Sequence, residues 1–169
     1  MKKKQVKWIH FLGKVLFVFY IIFLVYFLCF AEWYGRTGDL GTYRYNLVPL
    51  KEIKRFWVYR ETLGFFAVFT NLVGNILIFV PYGFLISMFT RKGRLGRVFF
   101  WSLGLCVGVE LFQLFTRVGS FDIDDVILNT LGGIVGWFFF EICNIIRREK
   151  DVRNQEKLKA ADQKRKENC

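Results

Sequence analysis

Long uncharged apolar blocks alternate with short charged stretches along this chain. Four blocks stand out, at residues 15–31, 63–89, 98–116 and 126–146. Each is apolar around the whole helix rather than along one stripe, which predicts membrane-spanning helices rather than half-buried surface helices. The first runs 17 residues without a charge. That is about 25 Å of helix, near the lower limit for crossing a bilayer. Trp8 and Trp33 flank it as interfacial anchors, and Lys14 sits where its ammonium snorkels outward. A cleaved signal peptide is the competing reading of this segment. The run is longer and more aromatic than a usual signal core, and Cys29-Phe30-Ala31 is a poor cleavage site, so a retained helix is expected. The predicted fold class is all-α: an integral membrane bundle of four transmembrane helices, with residues 15–146 as the membrane domain.

Composition sharpens the picture without changing it. Hydrophobic residues make up 54% and charged residues 23%, so charge is segregated from the apolar blocks. The net charge of +11 suggests nucleic acid until its placement is read. Of the 25 Lys and Arg, 18 lie before the first block, between the second and third, or after the fourth. The remaining seven, in residues 32–62 and at Arg117, are matched by acids. This asymmetry is a topology signal and predicts both termini in the cytoplasm. The basic ends, residues 1–14 and 147–169, also suit anionic lipid heads, so membrane lipids are the expected partner and nucleic acid is not. The 147–169 tail is expected to be solvated and partly helical.

Polar residues inside the blocks carry the candidate chemistry. Counting about 1.5 Å per residue, Asn71 and Asn75 lie roughly 12 and 18 Å below the outer surface. At i, i+4 they are expected on one face. Glu110 and Gln113 lie about 9 and 5 Å below the outer end of the third span. Asn129 sits about one turn into the fourth. If that helix starts a turn early, Asp122, Asp125 and Asn129 share a face, and Asp124 points away. Three separate stretches thus put polar groups in the outer half of the bilayer, where unpaired ones cost several kcal/mol. They are expected to meet around a recess open to the outside, with Arg117 as counter-charge. The simpler alternative is that they only bridge helices, which suits Asn71 and Gln113 better than the carboxylates. Glu141 stands apart, near the cytoplasmic end. Gly104 and Gly108, and Gly132 and Gly136, form two GxxxG pairs that predict contact between the third and fourth helices. Pro81 frees the carbonyl of Leu77 and predicts a kink.

The four cysteines show no CxxC spacing and the chain has one histidine, His10, so a zinc site of Cys and His is excluded. Asp122, Asp124 and Asp125 leave a hard cation such as Mg²⁺ as an alternative, but Arg117 neutralises them without one, and no metal or cofactor is expected. No phosphate loop, GxSxG or HExxH motif occurs.

Four stretches together resemble the VanZ-like family of bacterial membrane proteins: NLVP at 46–49, NILIFVPYG at 75–83, ELFQ at 110–113 and RVGSFDIDDVILNTLG at 117–132. The likeness covers roughly residues 44–137 in order and spacing. It implies a multi-pass protein of the bacterial cytoplasmic membrane, and a founding type associated with resistance to the glycopeptide teicoplanin. It brings no reaction with it. Three functions stay open. One is a non-enzymatic envelope protein that binds a lipoglycopeptide or a lipid-linked wall precursor through Asn75, Glu110, Gln113, Arg117, Asp122, Asp125 and Asn129. Another is an enzyme or transporter for a lipid-linked precursor, with Glu110 and Asp125 as an acid/base pair. The last is a purely structural bundle.

Overall fold

A computed structural model describes residues 3–31, 43–90, 95–117 and 119–167. Trp33, the loop residues Arg91, Lys92 and Arg94, and Cys169 lie outside the described residues. The elements in chain order are helix α1 (Lys3–Ala31), strand β1 (Tyr45–Asn46), short helices α2 (Lys51–Val58), α3 (Arg60–Leu63) and α4 (Phe65–Phe69), a π turn (Thr70–Gly74), α5 (Asn75–Phe89), α6 (Leu95–Thr116), strand β2 (Phe121–Asp122) and α7 (Ile123–Glu167).

The four expected spans are present, as Phe11–Leu28, Phe65–Phe89, Leu95–Thr116 and the first part of Ile123–Ala161. The chain is a multi-pass membrane protein. Its surface fits that reading: Phe19, Phe66, Phe100 and Phe115 are each more than 60% exposed, a display that only lipid tolerates over so large an area. Helix α7 runs unbroken from the fourth span into the basic tail, so the tail is helical through Glu167.

The second and fourth spans form the tight centre. A Cβ on Gly83 would come closer than 3.0 Å to the Gly133 carbonyl. One on Gly132 would overlap the Ile76 carbonyl, and one on Gly136 the Val80 carbonyl. The two backbones therefore touch, and only glycine fits between them. The expected contact between the third and fourth spans is present, but the GxxxG glycines do not make it. Gly132 and Gly136 meet the second span, and Gly104 and Gly108 face open space. The third span reaches the fourth through other residues. Ser102 packs on Gly133, and Cys106 meets Thr130 at 3.9 Å. The first span is the loosest. Leu24 is its buried residue among those described, joining Phe79, Tyr82, Cys106 and Val126 in the core. Tyr20 donates its hydroxyl proton to the Ile78 carbonyl.

Departure from α geometry in the second span falls at the π turn, while α5 continues through Pro81. Asn71, within the π turn, is exposed and bonds its own helix, donating to the Ala67 carbonyl at 2.8 Å. Asn75 is half-buried and bonds across to Asp125, so the two asparagines serve different partners.

Candidate functional site

The polar residues gather where the 43–63 segment meets the turn between the third and fourth spans. A two-residue parallel ladder joins them, pairing Tyr45 with Phe121 and Asn46 with Asp122. The Asn46 side chain works in two directions. Its oxygen accepts from the Val48 amide at 3.3 Å, shaping the NLVP turn, and its nitrogen donates to Asp122 at 3.1 Å. Asp122 immediately precedes α7 and caps it, accepting from the Asp124 amide at 2.9 Å. The helix thus starts at Ile123, and Asp122 is its cap rather than a member of its first face.

Asp124 turns to a different neighbour from Asp125, and its target is the first amides of α2, on the same 43–63 segment that Asp122 meets through Asn46. Its carboxylate accepts from the Leu50, Glu52 and Ile53 amides at 2.5, 2.7 and 3.2 Å. Helix α2 has no side-chain cap of its own, so a carboxylate more than 70 residues away supplies one. Asp124 is 1% exposed and was not among the expected site residues. Consecutive aspartates on a helix point to different neighbours, so Asp124 and Asp125 serve different segments, but nothing in the sequence names the backbone amides that Asp124 meets.

Asp125 faces the second span and accepts from the Asn75 side chain at 2.6 Å. Glu110, on the third span, accepts from the Asp122 amide at 2.9 Å. Three spans and both loop segments therefore meet in one hydrogen-bonded lattice. Gln113 extends it to the first span by donating to the Leu28 carbonyl at 2.9 Å. Buried Gly119 packs on the Gln113 side chain, and its amide donates to the Gln113 carbonyl at 3.3 Å. Arg117 ends the third span in the left-handed region, φ 56°, with its guanidinium 4.7 Å from the centre of the Tyr43 ring. Leu50, at φ 64°, is the other non-glycine residue in that region among those described. Both strained positions border the lattice, and such strain persists only where surrounding structure fixes it.

Burial raises the Asp122 carboxyl above its ordinary value, and the Asp124 charge adds to this. The Asp124 amide, the Asn46 side chain and, more weakly, Arg55 pull it back. Among the described residues, three buried side-chain oxygens have no hydrogen-bond partner: Ser102 Oγ, where the third span packs on the fourth, and Gln113 Oε1 and Asn129 Oδ1 nearer the lattice. Gln113 and Asn129 are 3% and 2% exposed and Ser102 is fully buried, so bulk water does not serve these oxygens. Of the expected set, Asn75, Glu110, Gln113, Asp122 and Asp125 join the lattice. Asn129 is buried one helical turn beyond Asp125, and Arg117 lies at the rim on Tyr43. No cluster of three or more His, Cys, Asp or Glu suited to a metal occurs among the described residues.

Residues 17–144 match the VanZ/LLP1 family model. Over 85 residues the chain is 33% identical to Protein VanZ of Enterococcus faecium. That match covers 50% of this chain and 52% of the relative, so the chain spans about half the length of this relative. No solved structure matches. The family match covers most of the chain, and the protein belongs to the VanZ/LLP1 family.

Proposed function

We propose that this VanZ/LLP1 protein acts by binding, at the outer face of the bacterial cytoplasmic membrane. Its ligand is an amphiphile of the cell envelope, either a lipoglycopeptide of the teicoplanin type or a lipid-linked wall precursor. Occupation lowers the access of such antibiotics to their target. The observation that carries this reading is the gathering of Asn75, Glu110, Asp122 and Asp125 into one polar lattice at one end of otherwise apolar spans. A polar end of this kind suits the headgroup of an amphiphile, and the apolar spans suit its hydrocarbon tail. The carboxylates are already occupied in holding Asp122 and Asn75 in place, which favours binding over acid–base turnover.

The outward orientation rests on the lysine and arginine asymmetry, which puts both termini inside and the lattice outside. Single cysteines at Ser120 and Ala160, in a background without the native four, test it. An impermeant reagent on intact cells labels the first only; labelling at Ala160 overturns the orientation. Incubation of purified protein with teicoplanin or a lipid-linked precursor tests the function. The expected result is saturable binding with the ligand recovered unchanged. A chemically altered ligand would establish turnover instead, with Glu110 and Asp125 as the first residues to examine.

A further inference from the structure

At the end of the bundle away from the lattice, a groove of about 310 Å³ opens between the second and fourth spans. Phe84, Met88, Phe140, Cys143, Asn144 and Arg147 line it. Phe84 and Phe140 meet edge to face at 5.7 Å and form its apolar wall. Arg147 stands at the other end, its guanidinium donating to the Asn144 side chain at 2.9 Å. That bond fixes a positive charge beside an apolar trough. The depths match a lipid. Counted from Ile123 at about 1.5 Å per residue, Phe140 lies about 26 Å along α7 and Arg147 about 36 Å. With a hydrocarbon core of about 30 Å, the aromatic wall lies among acyl chains and the guanidinium among headgroups. Arg148 follows directly, then Glu149 and Lys150, so residues 147–150 carry a net charge of +2.

We propose that this groove binds an anionic phospholipid of the tail-side leaflet. One acyl chain lies along Phe84, Met88 and Phe140, and the phosphate pairs with Arg147. A volume near the low end of the roughly 300–1,000 Å³ of ligand clefts fits part of one chain rather than a whole lipid. Basic pockets between spans select anionic heads for the same electrostatic reason. The site is separate from the outer lattice and does not depend on the function assigned there.

The test uses the full chain, purified in detergent and titrated with dioleoylphosphatidylglycerol or dioleoylphosphatidylcholine while thermal unfolding is followed. The anionic lipid is expected to raise Tm saturably, and the zwitterionic one to have little effect. Arg147→Gln should weaken the apparent affinity for the anionic lipid about fivefold, the worth of one interfacial cation. Met88→Trp, at a half-exposed position, should fill the trough and remove the effect. Lys157→Gln, an exposed change further along the same helix, should titrate as wild type. Equal responses to the two lipids would overturn the proposal. So would wild-type titration by both Arg147→Gln and Met88→Trp, or a loss in Lys157→Gln as large as that in Arg147→Gln.

Discussion

Helices α5 and α7 close against each other in two stretches, and the two close by different means. Around Gly83, Gly132, Gly133 and Gly136 the backbones touch, with no side chain between them. About two turns away, Asn75 and Asp125 hold the same two helices together through a side-chain hydrogen bond. The glycine stretch relies on shape, so any added atom is a collision. The polar stretch relies on donors and acceptors, so an isosteric change keeps its geometry while removing its charge. Lipid offers the helices no hydrophobic drive to associate, which is why close packing and hydrogen bonds must do so. A bundle that needed only packing would have no use for buried carboxylates, which are costly in a bilayer.

The largest effect should come from the shape-dependent stretch. Gly83→Ala and Gly136→Ala are expected to abolish recovery of monodisperse protein, because each new methyl would meet a backbone carbonyl or amide that cannot move aside. Gly104→Ala and Gly108→Ala, with open space at the Cβ position, should give wild-type yield. Equal loss from all four would show that GxxxG spacing, rather than this particular contact, is what matters.

Asp124→Ala comes next. It strands three backbone amides at the start of α2, for a loss of roughly 3 kcal/mol, or a fall of about 6–12 °C in Tm. Proteolysis within residues 43–63 should accelerate in the same variant. A Tm within 2 °C of wild type, about the effect of a neutral surface change, would remove Asp124 from its capping role.

The smallest effect is at Asp122. Its carboxyl titrates above the ordinary value in the folded protein, so the folded state holds the proton more tightly than the unfolded one. Stability is therefore greatest below the ordinary carboxylate pKa and falls as pH rises through the folded value. Asp122→Asn keeps the cap oxygen and removes that titration. Its Tm at pH 7 should rise by about 1–2 °C, with a flatter Tm profile between pH 4 and 6. A steeper profile in the variant would reverse the sign argued here.

The spans were legible because block length and uniform apolarity depend on composition alone. The gathering of Asn75, Glu110, Gln113, Asp122 and Asp125 was legible from depth arithmetic, since polar groups in lipid must find one another. The finer geometry was not. Asn71 bonds back to the Ala67 carbonyl of its own helix while Asn75 bonds Asp125, and the spacing of the two asparagines does not mark that difference. GxxxG spacing names a close approach without naming the partner: the third and fourth spans do touch, but the Gly132 and Gly136 pair meets the second. Asp124 was hidden because its partners are backbone amides at Leu50, Glu52 and Ile53, and backbone leaves no trace in residue identity.

The account turns on whether the lattice carboxylates serve a ligand as well as the fold. Teicoplanin tolerance of cells expressing wild type, Glu110→Gln or Asp125→Asn, with membrane abundance and Tm measured for each, tests this most directly. Both changes keep shape and a hydrogen-bonding oxygen toward the Asp122 amide or the Asn75 side chain. The predicted result is loss of the tolerance that wild type confers, with abundance and Tm unchanged. Full tolerance in both variants would contradict the account and leave Glu110 and Asp125 as helix-bridging residues.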